Sequence, residues 1–259
     1  MPNPHSTPEI IEFWRNIFLS ENPLQALEKI EGKLPLELNR FIDLEHSYPE
    51  PYFGPLDDIH SNDAILLLIN PGNIQVAQEN IKEHNDVIRE RFLSWNRYDY
   101  LNCEGRLHVH NIAGLQWRNG MQIQMERVLG RKIEFLHTIE FFPFHSKSWS
   151  HLSKREARYL LEMGSTKVSM NLIRQLSLSK HRIPILGIGR PWLDVFKKFK
   201  HPCVDEYSSD PGNPRAGHRV YKINVTEEGT PVVIYSSCGM HFPRAIEPVK
   251  KIREFCGLL

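Results

Sequence analysis

The chain has 259 residues, 41% of them apolar and 24% charged, with a net charge of +1, the composition of an ordinary soluble globular protein with a large core. Its opening, Met1-Pro2-Asn3-Pro4-His5, has no basic and apolar leader, and no apolar run reaches membrane-spanning length, so a cytoplasmic protein with no membrane association is expected. Cys103, Cys203, Cys238 and Cys256 are scattered without a Cys-x-x-Cys pair, which argues against structural zinc or a four-cysteine iron–sulfur cluster and for reduced thiols.

The charge is unevenly spread. Residues 1–150 hold 14 Lys and Arg against 21 Asp and Glu, whereas residues 151–259 hold 18 against 10. A basic half suits a phosphate-backbone surface. The excess gathers around Arg190, Lys197, Lys198 and Lys200, and again at Arg244, Lys250, Lys251 and Arg253. Taken alone, the lysine clusters read as solvated helix faces.

In chain order, residues 8–46 predict two or three helices. One apolar stripe is Ile10, Ile11, Phe13, Trp14, Ile17 and Phe18; a second is Leu24, Leu27 and Ile30. The Pro-rich segment 48–55 leads into Ala64-Ile65-Leu66-Leu67-Leu68-Ile69, a continuous apolar run that reads as a strand buried in a parallel sheet. It breaks into Asn70-Pro71-Gly72-Asn73, and a helix is expected from Ile74 to Trp95, followed by a loop over 95–100. Gln122–Leu129 predicts a helix. Thr138–Phe142 predicts a second strand, ending in Pro143-Phe144-His145-Ser146. Residues 153–178 read as helical with a break near Gly164. A third strand, Ile183–Ile188, runs into Gly189-Arg190-Pro191 and a helix over 192–199. The loop 201–218 is rich in Pro, Gly, Ser and Asp, and Arg219–Val225 reads as an edge strand. After a turn at Gly229-Thr230, a fourth core strand, Val232–Tyr235, ends in Ser236-Ser237-Cys238-Gly239, before a last helix over 244–255. Alternating strands and helices predict a three-layer α/β/α fold around a mainly parallel four-stranded sheet. Residues 1–47 are expected as a helical extension packed on a domain spanning 48–259.

Asn70 follows the first strand at a strand–turn–helix junction, where an α/β protein commonly holds its ligand. An Asn there can position a water or a carbonyl through its donor and acceptor; as a helix-capping turn residue it would be equally at home. Leu68-Ile69-Asn70-Pro71-Gly72 resembles the first motif of the uracil-DNA glycosylase superfamily, which reads Gly-Ile-Asn-Pro-Gly in the mismatch-specific branch. Tyr48-Pro49-Glu50-Pro51-Tyr52-Phe53-Gly54-Pro55 is similar to the lead-in of several branches, and the order of the four core strands matches, so the resemblance covers residues 48–255.

The resemblance implies a monofunctional DNA glycosylase that flips a base from the stack and hydrolyses its N-glycosidic bond as a monomer, without cofactor, metal or obligate protein partner. It implies that Asn70 positions the attacking water and that Gly72 approaches the DNA backbone. In the second motif, typically His-Pro-Ser or Asn-Pro-Ser, Ser236 and Ser237 fall on phosphate-contacting positions, and Tyr235 stands in the usual histidine position. His241, six residues on, is a candidate substitute for that histidine. Met240 and Phe242 are candidate wedges for the DNA stack, with core packing as the alternative, and Arg244 is a further DNA contact. The end of the second strand implies a base pocket from Phe142, Phe144, His145 and Tyr235, with Lys147 and Arg190 on phosphates; adjacent strand residues point to opposite faces, so more than one phenylalanine must be core. Tyr235 in place of histidine suggests a modified pyrimidine rather than ordinary uracil, including a bulky base of invading phage DNA. A DNA-binding relative without activity and a hydrolase of free nucleosides are the competing readings. Gly187-Ile188-Gly189 lacks the third glycine of a dinucleotide fingerprint, and the His108-Val109-His110 pair alone does not make a metal site.

Overall fold

The computed structural model describes residues 8–32, 47–69, 80–104, 106, 112–145, 154–213, 217–237 and 241–259. Among them a mixed α/β fold is built on seven strands: β1 (Tyr52–Phe53), β2 (Ala64–Leu68), β3 (Leu136–Glu140), β4 (Ile185–Ile188), β5 (Cys203–Ser208), β6 (Arg219–Ile223) and β7 (Val232–Ser236). Their order is β1-β3-β2-β4-β7-β6-β5.

The four expected core strands are the inner four, β3-β2-β4-β7, and edge strands bring the sheet to seven. β2 pairs parallel with β4, and β4 parallel with β7. Ala64 N–H donates to Phe135 O and Phe142 N–H to Ile69 O, so β3 and β2 also run together. β6 is antiparallel to β7 and to β5. The strand β5 replaces part of the loop expected over 201–218. Its residues Cys203–Glu206 are exposed, so no apolar alternation marks it.

The helices are α1 (Glu9–Leu19), α2 (Pro23–Glu31), α3 (Ile81–Ser94), α4 (Arg97–Leu101), α5 (Ile112–Leu129), α6 (Lys154–Glu162), α7 (Gly164–Ser177), α8 (Pro191–Lys198) and α9 (Ile246–Phe255). α4 occupies the loop expected over 95–100. Its start is a capping box: the Asn96 side chain accepts from the N–H groups of Tyr98 and Asp99, and the Asp99 carboxylate accepts from Asn96 N–H. α5 begins ten residues earlier than expected, at Ile112. The break near Gly164 is a helix boundary whose new amino end is capped by Glu31, which accepts from Gly164 and Ser165 N–H at 2.6 Å each.

The chain forms two compact units, each drawn from several segments: Met1–Ile59, Ile69–Leu115 and Ile139–Leu172 make the first, and His60–Leu68, Gln116–Thr138 and Ile173–Leu259 the second. In the first, the α1 stripe of Ile10, Ile11, Trp14, Ile17 and Phe18 is buried as predicted, and Phe18 stacks on Phe92 of α3 with ring centroids 4.6 Å apart. In the second, alternate residues of β2, β4 and β7 (Leu66, Leu68, Leu186, Ile188, Val233, Tyr235) share one core with Met121, Met125 and Val128 of α5 and Ile252 and Phe255 of α9.

Gly187 sits at the middle of this second unit, in register with Leu67 on one side and Ile234 on the other. A Cβ there would lie 2.5 Å from Ile234 Cδ1 and 3.3 Å from Trp192 Cδ1. Gly187→Ala is therefore expected to lower stability by about 1–3 kcal/mol, seen as a lower urea midpoint at unchanged slope. Adding Ile234→Val, which removes the offending methyl, should recover part of the loss.

Candidate functional site

In an open parallel sheet the ligand crevice lies at the carboxyl ends of the strands, where the strand order changes direction. Here β2 has its successor β3 on one side and β4 on the other, so the change of direction falls at β2 and β4. The carboxyl edge of the second unit is therefore formed by the ends of β2, β4 and β7. Because β6 is antiparallel, it brings its amino end to that same edge, with Arg219 opposite Ser236 and Val220 opposite Tyr235.

At this edge Gly189, with φ of 101°, donates its N–H to Tyr235 O at 2.9 Å and turns the chain into α8. Arg190 follows and is exposed, as is Arg244 beyond β7. Ser236 is buried and Ser237 half-buried. Tyr235 is 1% exposed, so its ring does not face an open base pocket as expected. Its hydroxyl lies 2.6 Å from His218 Nδ1, and the ring is stacked between those of His218 and Phe242, at 5.9 and 6.2 Å. Phe242 is 3% exposed and belongs to the core, which corrects its assignment as a wedge. The segment carrying it is tied to α5: Gln124 Oε1 accepts from Phe242 N–H, and Arg127 donates to the carbonyls of Phe242 and Pro243. His241 is exposed, with Nδ1 at 3.5 Å from Gln124 Nε2. Asn70, Gly72, Lys147 and Met240 lie outside the described residues.

A cleft of about 560 Å³ lies elsewhere in this unit, lined by Lys197, Lys200, His201, Tyr221 and Ile223. Ile223 pairs with Val232, the first residue of β7. The cleft therefore belongs to the opposite end of the sheet from Tyr235.

The first unit holds a second polar constellation, which sequence reasoning missed. Glu50 precedes β1, His84 and Arg91 lie on α3, Glu140 ends β3, and His145 follows it. Arg91 donates to Glu50 Oε2 at 2.9 Å, His145 Nε2 lies 3.0 Å from Glu50 Oε1, and His84 Nε2 lies 3.8 Å from the same oxygen. Burial would raise the Glu50 pKa, but Arg91, the His145 hydrogen bond and the charges of both histidines outweigh it and hold the carboxyl well below the usual range. Glu140 goes the other way: burial, and then the charge of Glu50, push its pKa well up and favour its protonated form. Glu50, His84 and His145 bring one ligand atom each within 4.8 Å of one another, the donor set of a small cation site. Glu50 is already paired to Arg91, however, so a cation there would share that carboxylate with a guanidinium.

This constellation also changes the expected base pocket. His145 is 3% exposed and turned onto Glu50 rather than presented to a base edge. Phe141, Phe142 and Phe144 are each at most 1% exposed, with Phe142 and Phe144 packed 5.1 Å apart, so all three are core. The cluster members are separated in sequence and come from different elements, and no short motif links them. A lone Glu in a Pro-rich lead-in carries no signal of its partners. His218 is also invisible as a motif, but the hairpin register could have found it: residues 218 and 220 share a face, and 220 pairs with 235.

No protein-family model, curated protein or solved structure matches the chain. No helix among the described residues is long and apolar enough to cross a membrane.

Arg91→Met should cost about 3–5 kcal/mol, because it strands a buried carboxylate, and should appear as a lowered urea midpoint at pH 7. Glu140→Gln should act in the opposite sense. Above about pH 4.3 the unfolded chain ionises Glu140 while the folded protein keeps it protonated, so wild-type stability falls with rising pH by up to about 1.4 kcal/mol per unit. The advantage of the Gln variant should therefore grow between pH 5 and pH 8 in paired denaturation curves.

Proposed function

We propose that this chain is a monofunctional DNA glycosylase similar to the uracil-DNA glycosylase superfamily, with a three-layer α/β/α core. In this reading it works as a cytoplasmic monomer without a cofactor. It flips a uracil-like or modified pyrimidine out of DNA and hydrolyses the bond to C1′. A bulky modified base of phage DNA is within this substrate class.

One observation carries the reading. The two strands that lead into the motif segments are both parallel to β4 and lie on either side of it. Leu67 and Ile234 are both level with Gly187; Asn70 and Ser237 each follow three residues later in sequence. Adjacent strands are about 4.8 Å apart, so the two strand ends are separated by about 10 Å. That span leaves room for one nucleotide between the two strand ends. Exposed Arg190 and Arg244, which follow β4 and β7, add positive charge for the flanking phosphates.

Hydrolysis needs a water aimed at C1′ and help for the charge on the departing base. Asn70 is a weak base, so its role is orientation of the water, in a transition state with oxocarbenium character at C1′. Slow turnover is expected.

The test is base release, scored as alkali-labile abasic sites, from duplex and single-stranded oligonucleotides. The panel carries uracil, G·T, hypoxanthine, 5-hydroxymethyluracil and 5-hydroxymethylcytosine, with glucosylated phage DNA alongside. Release of at least one base, lost by about 10²-fold or more in Asn70→Ala while DNA is still bound, is the expected result. DNA binding with no release across the panel would favour the relative without activity; release from free nucleosides alone would favour the nucleoside hydrolase.

A further inference from the structure

We propose that the cleft beside α8 and β6 is a separate binding site, which takes a small organic anion with one carboxylate or phosphate head on an apolar body. Its volume of about 560 Å³ is that of a small-molecule site. Tyr221 and Ile223 alternate along β6 and so share one face of the sheet, opposite to that of Val220. Leu193 and Lys197 stand one turn apart on α8 and share one side of the helix. Leu193, Pro202, Tyr221 and Ile223 make the lining largely apolar, and Lys197, Lys200 and His201 supply positive charge and a hydrogen-bond donor.

Lys200 sets this cleft apart. α8 ends in a Schellman motif, in which His201 N–H donates to Phe196 O at 2.9 Å and Lys200 N–H to Lys197 O at 3.1 Å. The residue after the helix cap in this motif takes a left-handed conformation, and glycine is the usual choice there. Lys200 holds that conformation, with φ of 62°, although a Cβ makes it unfavourable. Glycine would close the same helix end without strain, so the fold gains nothing from a lysine at this position. Lys197 and Lys198 complement the carboxyl end of α8. Lys200 lies beyond the last turn and is exposed at the cleft. Strain retained beside a cleft points to a use for the side chain.

The polar groups of the lining suit an anion rather than a cation. Neither Lys197 nor Lys200 has an ion-pair partner among the described residues. Glu206, the acid of the lining, is already matched, with its Oε1 at 2.6 Å from Arg219 Nη1. Cys203 Sγ is turned onto Asp205 O. His201 accepts at Nε2 from Arg174 Nε at 3.1 Å, which places the proton of the neutral ring on Nδ1. Burial, and then the charge of Arg174, lower its pKa and favour that neutral form. His201 Nδ1–H makes no hydrogen bond among the described residues and remains a donor for an anionic head. The head and the body of the ligand are then recognised by different groups.

Octanoate and phenyl phosphate serve as probes in isothermal titration calorimetry. 1-Octanol carries the apolar body without the charge, and inorganic phosphate the charge without the body. At least one of the two organic anions is expected to bind once per chain, about tenfold or more tighter than either control. Lys200→Gly should weaken that binding by about tenfold, yet raise the urea midpoint, because the charge is lost and the strain relieved. Lys200→Ala should bind as weakly without the gain in stability, and Lys200→Arg should keep most of the affinity. All of this is read without DNA, so the outcome is independent of the glycosylase reading. No binding of either organic anion, a control that binds as tightly, or a Lys200→Gly affinity within about twofold of wild type would overturn the proposal.

Discussion

The carboxyl edge depends on three buried strands staying level with one another. β2, β4 and β7 are buried along their whole length, so apolar alternation cannot set their register as it does in a half-exposed strand. Steric fit does so instead. In the row Leu67–Gly187–Ile234 the central residue has no side chain, and the end of Ile234 occupies the space it leaves. A slip of β7 by one residue along β4 would bring Leu186 or Ile188 against Ile234 and leave the space beside Gly187 wrongly filled. The level relation between Leu67 and Ile234 therefore follows from a packing constraint in the sheet.

Buried polar groups avoid an uncompensated charge in three different ways. Glu50 is ionised and matched to Arg91, a pair whose desolvation is tolerated because both partners are present and hydrogen-bonded. Glu140 is buried beside that charge, and burial first and the charge second push its pKa up. The Tyr235 hydroxyl shares a 2.6 Å hydrogen bond with an imidazole at the edge. Each solution avoids an uncompensated charge in a low-dielectric interior.

The inner sheet was legible because its strands are short, continuous apolar runs bounded by Gly and Pro, a signal that does not depend on long-range contacts. The edge strand β5 was not: Cys-Val-Asp-Glu-Tyr-Ser has no apolar face because its residues Cys203–Glu206 are exposed, and only pairing with β6 makes it a strand. The short helix α4 carried its capping box in plain view at Asn96 and Asp99, but its aromatic and polar composition read as a loop. At the site, the aromatic end of β3 looked like a pocket because composition cannot separate a ring that lines a cavity from one that fills it. Phe142, Phe144 and Phe242 fill. His145 was expected in a base pocket, and its partner Glu50 lies 95 residues away, where no spacing rule reaches.

The departure at Tyr235 follows the same logic. A linear motif places each function at a fixed offset from a strand end, so a missing histidine after β7 invites a search further along the chain, toward His241. Space is not ordered that way at a sheet edge. An antiparallel neighbour starts where β7 ends, so a residue just before β6 stands beside Tyr235 although it is encoded 17 residues earlier. Tyr235 is too buried to meet a ligand directly, but its hydroxyl is long enough to reach the imidazole that the neighbouring antiparallel strand brings to the same edge.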